Sequence, residues 1–185
     1  MSPKQVVRQP LAAREQASRT LDQRLAVRFQ RLAHAYVRLV FAVPPTRRFR
    51  RAALARMTRS AIEAYNRLDV EPFLIPFHPE ARYEIAPEMA GLGINASDFY
   101  VHEGLRRYWE EGRNVWPDLR IDPQELIDLG DQLLMLGKIS GKGVRSGIQT
   151  SFPYATVATV SNAKVILIRE YIDHAEALEA VGLSE

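Results

Sequence analysis

One segment near the carboxyl end places a glutamate between apolar residues in a pattern that suits proton transfer. Ile168, Glu170 and Ile172 alternate with other residues, which predicts a strand with these three side chains on one face. If that face lines a pocket, loss of solvent raises the pKa of the Glu170 carboxyl group. A carboxyl group with a raised pKa is suited to general acid–base catalysis near neutral pH.

Two further polar residues follow this segment directly. Asp173 and His174 are adjacent in the chain, so their side chains diverge and do not act on each other as members of a triad. Asp173 precedes a predicted helix over residues 175–180, which indicates an N-cap, and an acid–base role at the pocket is its alternative. His174 and His102 are further candidates for a general base at the pocket mouth.

The residue types exclude several kinds of site. The chain has no cysteine, which excludes disulfides, thiolate metal sites and a cysteine nucleophile. Its four histidines lack ligand spacing, and the sequence has no phosphate loop and no dinucleotide fingerprint. We therefore expect neither a metal nor a cofactor.

Aromatic residues are numerous enough to line a pocket as well as a core. Ligand sites are mostly apolar with a few placed polar groups, so we expect Tyr65, Tyr83 and Trp109 to contact a hydrophobic small molecule. The remaining aromatic candidates for core or pocket are Tyr100, Tyr108, Trp116, Phe152 and Tyr154.

The order of predicted elements indicates the fold class. Residues 1–17 are polar and predict a flexible lead-in, and an amphipathic helix from residue 20 ends at Pro44 and Pro45. Further helices are predicted over 47–67, after Asp69, over 103–111 and over 175–180, with strands over 81–85, 119–128, 132–142, 147–160 and 164–172. A long loop over 86–100 is typical of a binding loop or lid. Helices followed by hairpin-connected strands indicate an α+β fold.

Charge divides the chain into two regions. Residues 1–60 hold 14 Lys and Arg against two acids, whereas residues 61–185 hold 11 against 20. We therefore predict two regions, a basic N-terminal extension over residues 1–45 and a domain over 46–185. The extension is expected to pack on its own domain or on a dimer mate. Peripheral membrane contact through residues 20–41 is the alternative, and nucleic acid is not expected because no motif is present.

No apolar run is long enough to cross a bilayer, and the N-terminus lacks the pattern of a secretory signal. A cytoplasmic protein is the simplest interpretation.

Several blocks resemble the SnoaL-like branch of the NTF2-like superfamily in order and spacing. The blocks cover residues 61–84, 102–111, 118–143 and 151–183. The resemblance implies an α+β cone, in which a curved antiparallel β-sheet wraps around N-terminal helices and encloses a pocket, here with an extra basic N-terminal helix. The resembling blocks begin after Pro44 and Pro45, so the resemblance also implies that the domain folds without residues 1–44. It further implies a homodimer. The turn SNAK (161–164) departs from the Asp-Gly usual in such proteins, so we expect a different turn there.

The resemblance also suggests site residues. The segment IREYID (168–173) is similar to a pattern of the limonene epoxide hydrolases whose first aspartate is a catalytic acid–base, and Glu170 matches that aspartate. The hydrolase Arg-x-Asp pair falls on Lys138 and Ser140, which keeps the cation but replaces the second carboxylate. Epoxide hydrolysis is therefore not expected. We predict that Glu170 lies near Lys138 and Ser140 on a neighbouring strand, and an ion pair of Glu170 with Lys138 is the structural alternative.

Two functions remain open from the sequence. The first is a cofactor-free isomerase, cyclase or dehydratase that acts on a hydrophobic, polyketide-like small molecule. The second is a ligand-binding or assembly module without catalysis. A catalyst requires an ionisable group within hydrogen-bond reach of a ligand in the cavity.

Overall fold

A computed structural model describes residues 5–13, 18–91, 93–94, 97–144 and 146–183. The helices are α1 (Leu21–Arg28), α2 (Gln30–Ala42), α3 (Arg48–Asn66), α4 (Val70–Leu74), α5 (Val101–Val115) and α6 (His174–Ala180), with a 3₁₀ turn at Pro87–Ala90. The strands are β1 (Val7–Pro10), β2 (Phe77–Glu84), β3 (Phe99–Tyr100), β4 (Arg120–Asp128), β5 (Gln132–Lys142), β6 (Gln149–Ser161) and β7 (Lys164–Tyr171).

The amphipathic segment before the two prolines forms two helices instead of the single predicted one. Thr20 and Gln23 form a capping box that begins α1, with each side chain bonded to the backbone N–H of the other. The helix breaks at Phe29, whose φ of −122° and ψ of 57° are not helical. The second helix ends before Pro44, as predicted, because proline cannot donate to a helical ladder.

The strands form one curved, unclosed sheet in the order β1-β4-β5-β6-β7-β2-β3. Every pairing is antiparallel except β2 with β7, which is parallel. The prediction of a wholly antiparallel sheet is therefore wrong at this one pair. The predicted α+β architecture, with helices packed on one face of a curved sheet, is confirmed.

Residues 7–10 are part of the sheet. Strand β1 pairs with the edge of β4, with Val7 opposite Asp128 and Pro10 opposite Glu125. The next residue, Leu11, is only 3% exposed. The prediction of a flexible lead-in is therefore wrong for residues 7–11. The segment is too short and too polar to show strand alternation, and an edge strand accepts a proline, whose missing N–H removes no ladder bond.

Alternation along the strands divides the sheet into an inner and an outer face. Inner-face residues such as Met135, Tyr154 and Ile168 join the main core with α3 and α5. Outer-face residues such as Leu134 and Val157 form a second core with α6. Only the strand residues on the inner face of the sheet therefore reach the interior of the cone.

The hairpin between β6 and β7 turns on Asn162 and Ala163, with φ of 49° and 58°. Two positive φ values are the pattern of a type I′ turn, which Asp-Gly also favours. The expectation of a different turn is therefore wrong, because Asn, and at some cost Ala, adopts the left-handed conformation.

Among the described residues, no helix is both long and apolar enough to cross a membrane.

Candidate functional site

A cavity of about 120 Å³ lies between the helices and the inner face of the sheet. Helices α2 and α3 supply Val37, Leu54 and Met57 to its wall, and strand β7 supplies Ile168. The few polar side chains on the wall are Thr58, Tyr65, Tyr83, Tyr154 and Thr156. Such a lining suits an apolar ligand with one or two polar groups.

A buried carboxylate lies at the tyrosine end of this cavity. Glu170 is 5% exposed and accepts hydrogen bonds from three tyrosine hydroxyls. Tyr83 and Tyr154 donate to Oε1 at 2.5 and 2.7 Å, and Tyr108 donates to Oε2 at 2.7 Å. We refer to Glu170, Tyr83, Tyr108 and Tyr154 as the Glu170 cluster. Because Tyr83 and Tyr154 also line the cavity, the cluster connects the carboxylate to any ligand there.

Each member of the cluster comes from a different element. Glu170 on β7 is paired with Thr156 on β6, which places Tyr154 one inner-face position away. Tyr83 lies on β2, the parallel neighbour of β7, opposite Ile168. Tyr108 lies on the buried face of α5.

The ring of Phe99, on β3, packs against two tyrosines of the cluster. It stacks on Tyr83 with ring centroids 5.0 Å apart and lies 5.5 Å from Tyr108. Gly104 permits this approach, because a Cβ there would come within 2.5 Å of the Phe99 ring.

The electrostatics of the site are those of an acid removed from water. Burial raises the pKa of Glu170, and hydrogen bonds from the three tyrosines and from the Ala86 backbone N–H offset part of that rise. Burial, followed by the charge of Glu170, raises the pKa of Tyr83, Tyr108 and Tyr154 well above its usual range. The phenols therefore act as hydrogen-bond partners and not as ready acids.

Four of the predicted ligand contacts lie in or behind this region. Tyr65, Tyr83 and Ile168 line the cavity. Trp109 packs edge-on against Tyr65, with centroids 5.0 Å apart, and its indole N–H is buried with no hydrogen-bond partner among the described residues. Ile172 is half-buried against the main core. Whether any of them binds a ligand stays a prediction.

The prediction that Lys138 and Ser140 lie beside Glu170 is wrong. Strand β6 separates β5 from β7. Glu170 is paired with Thr156 on β6, and Thr156 is paired with Met135 on β5, so Met135 is the β5 residue in register with Glu170. Lys138 is exposed and, by strand alternation, lies on the same outer face of the sheet as Leu134, whereas Glu170 faces inward. The motif match placed Lys138 and Ser140 one strand from Glu170, whereas they lie two strands away. Lys138 and Glu170 lie on opposite faces of the sheet and form no ion pair.

The prediction that Asp173 caps the last helix is confirmed. Its carboxylate accepts from the backbone N–H of Ala175 at 2.6 Å and of Glu176 at 3.4 Å. The side chain is exposed. His174 lies with Nε2 2.8 Å from the carbonyl of Gly137, and His102 is exposed on α5.

Sequence reasoning did not assign Tyr108 and Tyr154 to the site. Tyr154 shares the alternation of Thr156 and Ala158 on β6, a signal that placed it on the inner face. Tyr108 had no comparable signal, because its contact with Glu170 joins a helix to a strand 62 residues away. Among the described residues, no group of three histidine or acidic side chains is placed to hold a metal ion.

Comparison with known proteins finds a matching family model and solved structures of similar fold. The model of the SnoaL-like domain matches residues 58–168, which is more than half of the chain. No curated protein matches the chain.

Three solved structures illustrate the likeness. TerC, crystallised with polyporic acid, is 18% identical with a TM-score of 0.56, and the match covers 67% of this chain and 94% of TerC. An NTF2-like protein of unknown function from Burkholderia pseudomallei is 20% identical with a TM-score of 0.55, over 69% and 95% of the two chains. A ketosteroid isomerase-like fold from Catenulispora acidiphila, in complex with trimethylamine, is 11% identical with a TM-score of 0.53, over 69% and 92%.

Proposed function

Since the chain belongs to the SnoaL-like family of the NTF2-like superfamily, we propose that its cavity binds a hydrophobic small molecule and that the Glu170 cluster transfers a proton on that molecule. The reaction class is a cofactor-free isomerisation, cyclisation or dehydration. One observation carries the proposal. Tyr83 and Tyr154 line the cavity, and the hydroxyl of each lies within hydrogen-bond distance of Oε1 of Glu170.

The proton on Glu170 determines what the tyrosines offer a ligand. Each hydroxyl has one proton to donate, and with Glu170 ionised all three protons point to the carboxylate. The lone pairs of Tyr83 and Tyr154 then accept from a ligand hydroxyl. When Glu170 is protonated, it donates to a tyrosine oxygen, and that tyrosine donates to a ligand carbonyl. The cluster therefore changes from acceptor to donor with a single proton, as an acid–base catalyst must.

The members have separate roles in this proposal. Tyr83 and Tyr154 contact the ligand, and Glu170 stores the proton: as a tyrosine oxygen accepts a proton from the ligand, the hydroxyl of that tyrosine passes its own proton to Oε1 of Glu170, and the reverse transfer returns a proton to the ligand. Tyr108 is a positioning residue, because it holds the second carboxylate oxygen of Glu170 and comes from outside the cavity wall. The apolar wall excludes water, which strengthens each of these hydrogen bonds.

Ligand binding is tested with a pair of probes of nearly equal shape. The cavity is close in volume to one that binds benzene, so phenol and toluene, which differ only in a hydroxyl for a methyl group, are suitable. We expect phenol to bind more tightly than toluene in calorimetry, and Tyr83→Phe or Tyr154→Phe to reduce that difference. Tyr100→Phe is the matched control, because this tyrosine is exposed. Equal affinity for both probes would contradict the polar role of the cluster.

Proton transfer is tested with cyclohex-3-enone, whose C2 protons are acidified by the carbonyl and the double bond. Removal of a C2 proton and its return at C4 gives the conjugated cyclohex-2-enone, which NMR in D₂O detects with the deuterium taken up. We expect catalysis by the wild-type protein and a loss of about 10²-fold in Glu170→Gln. Glu176→Gln, an exposed carboxylate on α6, is the control.

A ligand-binding module without catalysis is the second candidate, and one observation favours it. The carboxylate of Glu170 lies behind the tyrosines and is fully bonded to them, as in a structural polar cluster. Probe binding that depends on the tyrosines, combined with no turnover of cyclohex-3-enone by the wild-type protein, would favour this module.

A further inference from the structure

Helices α1 and α2 present a row of apolar side chains to solvent. The side chains recur at spacings of three and four residues and are 39–71% exposed. They are Leu21, Leu25, Phe29, Leu32, Tyr36 and Leu39, which we call the apolar row. Single exposed apolar residues are ordinary on a protein surface, but a continuous row on an amphipathic helix marks an interaction site.

An arginine row runs beside the apolar row. Each of its members directly precedes a residue of the apolar row in the sequence and therefore lies about one-quarter turn away from that residue around the helix axis. The members are Arg24, Arg28, Arg31 and Arg38. All four are exposed, and no carboxylate among the described residues forms an ion pair with them.

The surrounding segment is just as one-sided in charge. Residues 18–60 contain 11 arginines and one acid, Asp22. Three of these arginines are paired with acids: Arg19 with Asp69 and Glu71, the buried Arg50 with Asp128, and Arg56 with Asp22. The other eight have no ion pair among the described residues. Anionic partners are therefore strongly preferred at this surface.

A groove beneath these helices leads to the interior. It has a volume of about 860 Å³ and lies between α1–α2 and α3–α4. Leu25, Phe29 and Leu32 of the apolar row line it. The groove and the buried cavity share wall residues, among them Val37 and Met57, so the two spaces adjoin.

We propose that α1 and α2 form a docking surface for an anionic lipid bilayer. The apolar row enters the acyl boundary, and the arginine row lies at the level of the phosphates, as in helices that lie in a membrane interface. A second copy of the chain is disfavoured as the partner, because a symmetric contact would bring two arginine rows together, and Asp22 is the only acid on α1 and α2. Nucleic acid would use the arginines but leaves the apolar row without a role.

Docking would also give the groove a function. With the apolar row in the bilayer, the groove opens toward the acyl chains, and it shares part of its wall with the cavity. A hydrophobic ligand would then pass from lipid to cavity without crossing water. This route rests on the proposed function, whereas docking itself does not.

The test is co-sedimentation of the full chain with vesicles of phosphatidylcholine, with and without phosphatidylglycerol. We expect binding only to the anionic vesicles and weaker binding at about 0.5 M salt, where charges are screened. Arg28→Glu/Arg31→Glu should weaken binding by about tenfold or more. The matched control is Arg106→Glu/Arg107→Glu, which reverses two exposed charges on α5.

A second pair of variants isolates the apolar row. Leu32→Gln/Leu39→Gln keeps good helix formers and should also weaken binding by about tenfold. Val144→Gln/Ile148→Gln changes two similarly exposed apolar residues in the loop after β5 and should have no effect. Circular dichroism and thermal melts establish that each variant is folded.

Four results would overturn the proposal. They are no binding to anionic vesicles at low salt, equal losses in the two charge variants, and full binding by Leu32→Gln/Leu39→Gln. The fourth is a wild-type dimer that this leucine variant converts to a monomer in sedimentation velocity, since the row would then be an interface between copies. A failed cyclohex-3-enone assay with intact vesicle binding would affect only the proposed function.

Discussion

Arg50 on α3 and Asp128 at the end of β4 form a buried, two-point ion pair, with Nε–Oδ2 and Nη2–Oδ1 distances of 2.8 Å. The other N–H groups of Arg50 donate to the carbonyls of Phe41, Val43 and Gly130. All five donors of the guanidinium are thus used. One side chain therefore joins the end of α2, the start of α3 and the β4–β5 turn.

Changes at this pair should be strongly destabilising. Asp128→Asn leaves the Arg50 charge buried without a counter-charge, so we expect the free energy of unfolding to fall by about 3–5 kcal/mol in urea denaturation. Arg50→Lys should also destabilise, because an ammonium group cannot reproduce the planar fork. Arg48→Lys is the control, because Arg48 is exposed and takes no part in these contacts. It should change stability by less than about 0.5 kcal/mol. Similar losses at Arg48 and Arg50 would contradict the assignment.

The same contacts change the expected effect of removing the extension. Deletion of residues 1–44 removes the Phe41 and Val43 carbonyls from Arg50, together with the buried Leu11 and Val40. We now expect the truncated chain to lose cooperative thermal unfolding or to melt at a much lower temperature. Deletion of residues 1–6, which lie before β1, is the control and should have little effect. A truncated domain over 46–185 that melts like the full chain would restore the boundary predicted from charge.

Features set by local pattern were predictable from the sequence. The bounds of β4 and β5 agree with the predicted strands within one residue. The inward face of Glu170 followed from its two isoleucine neighbours, and the cap at Asp173 followed from the helix after it. Each depends on residues within a few positions of one another.

Features set by non-local packing were not predictable. The distance between Lys138 and Glu170 depends on the order of strands, and alternation within one strand contains no information on that order. Strand β1 and the contact of Tyr108 with Glu170 depend on partners far away in sequence. The break at Phe29 interrupts a continuous helical pattern and had no glycine or proline to indicate it.

The cap at Asp173 gives a second stability prediction. Asp173→Ala leaves the N–H groups of Ala175 and Glu176 without their side-chain acceptor, so we expect a loss of about 1 kcal/mol in urea denaturation. Turnover or probe binding should be kept, since Asp173 is exposed on the helix cap. Glu179→Ala, an exposed acid in the same helix, should be nearly neutral. If Asp173→Ala had normal stability but lost turnover, the catalytic role would belong to Asp173.

The turn at Ala163 offers a stabilising substitution. Alanine at a φ of 58° is strained, whereas glycine adopts this conformation freely. Ala163→Gly should therefore raise the free energy of unfolding by about 0.5–1 kcal/mol. Asn162→Gly should give a smaller gain, because asparagine tolerates a positive φ. A loss of stability in Ala163→Gly would mean that its methyl group on the cavity wall outweighs the backbone strain.

The raised pKa of Glu170 predicts how stability depends on pH. The folded protein retains the Glu170 proton to higher pH than the unfolded chain, whose carboxyl has an ordinary pKa of 4.5. Below that value both states are protonated and the contribution to stability is complete. Stability is then lost as pH rises from about 4.5 through the folded pKa. Urea denaturation at a series of pH values should show this loss in the wild-type protein relative to Glu170→Gln.

Tyr108→Phe tests whether the hydroxyls hold the charged form of Glu170. The Tyr108 hydroxyl donates to Oε2 and lowers the pKa of Glu170, so its removal should raise that pKa further. The variant should therefore lose more stability above the folded pKa than below pH 4.5, where Glu170 is neutral in both states. Tyr100→Phe, at an exposed tyrosine, controls for loss of a hydroxyl elsewhere. If the difference between the two variants does not grow with pH, Tyr108 contributes packing alone, and Glu170 stays neutral throughout the range.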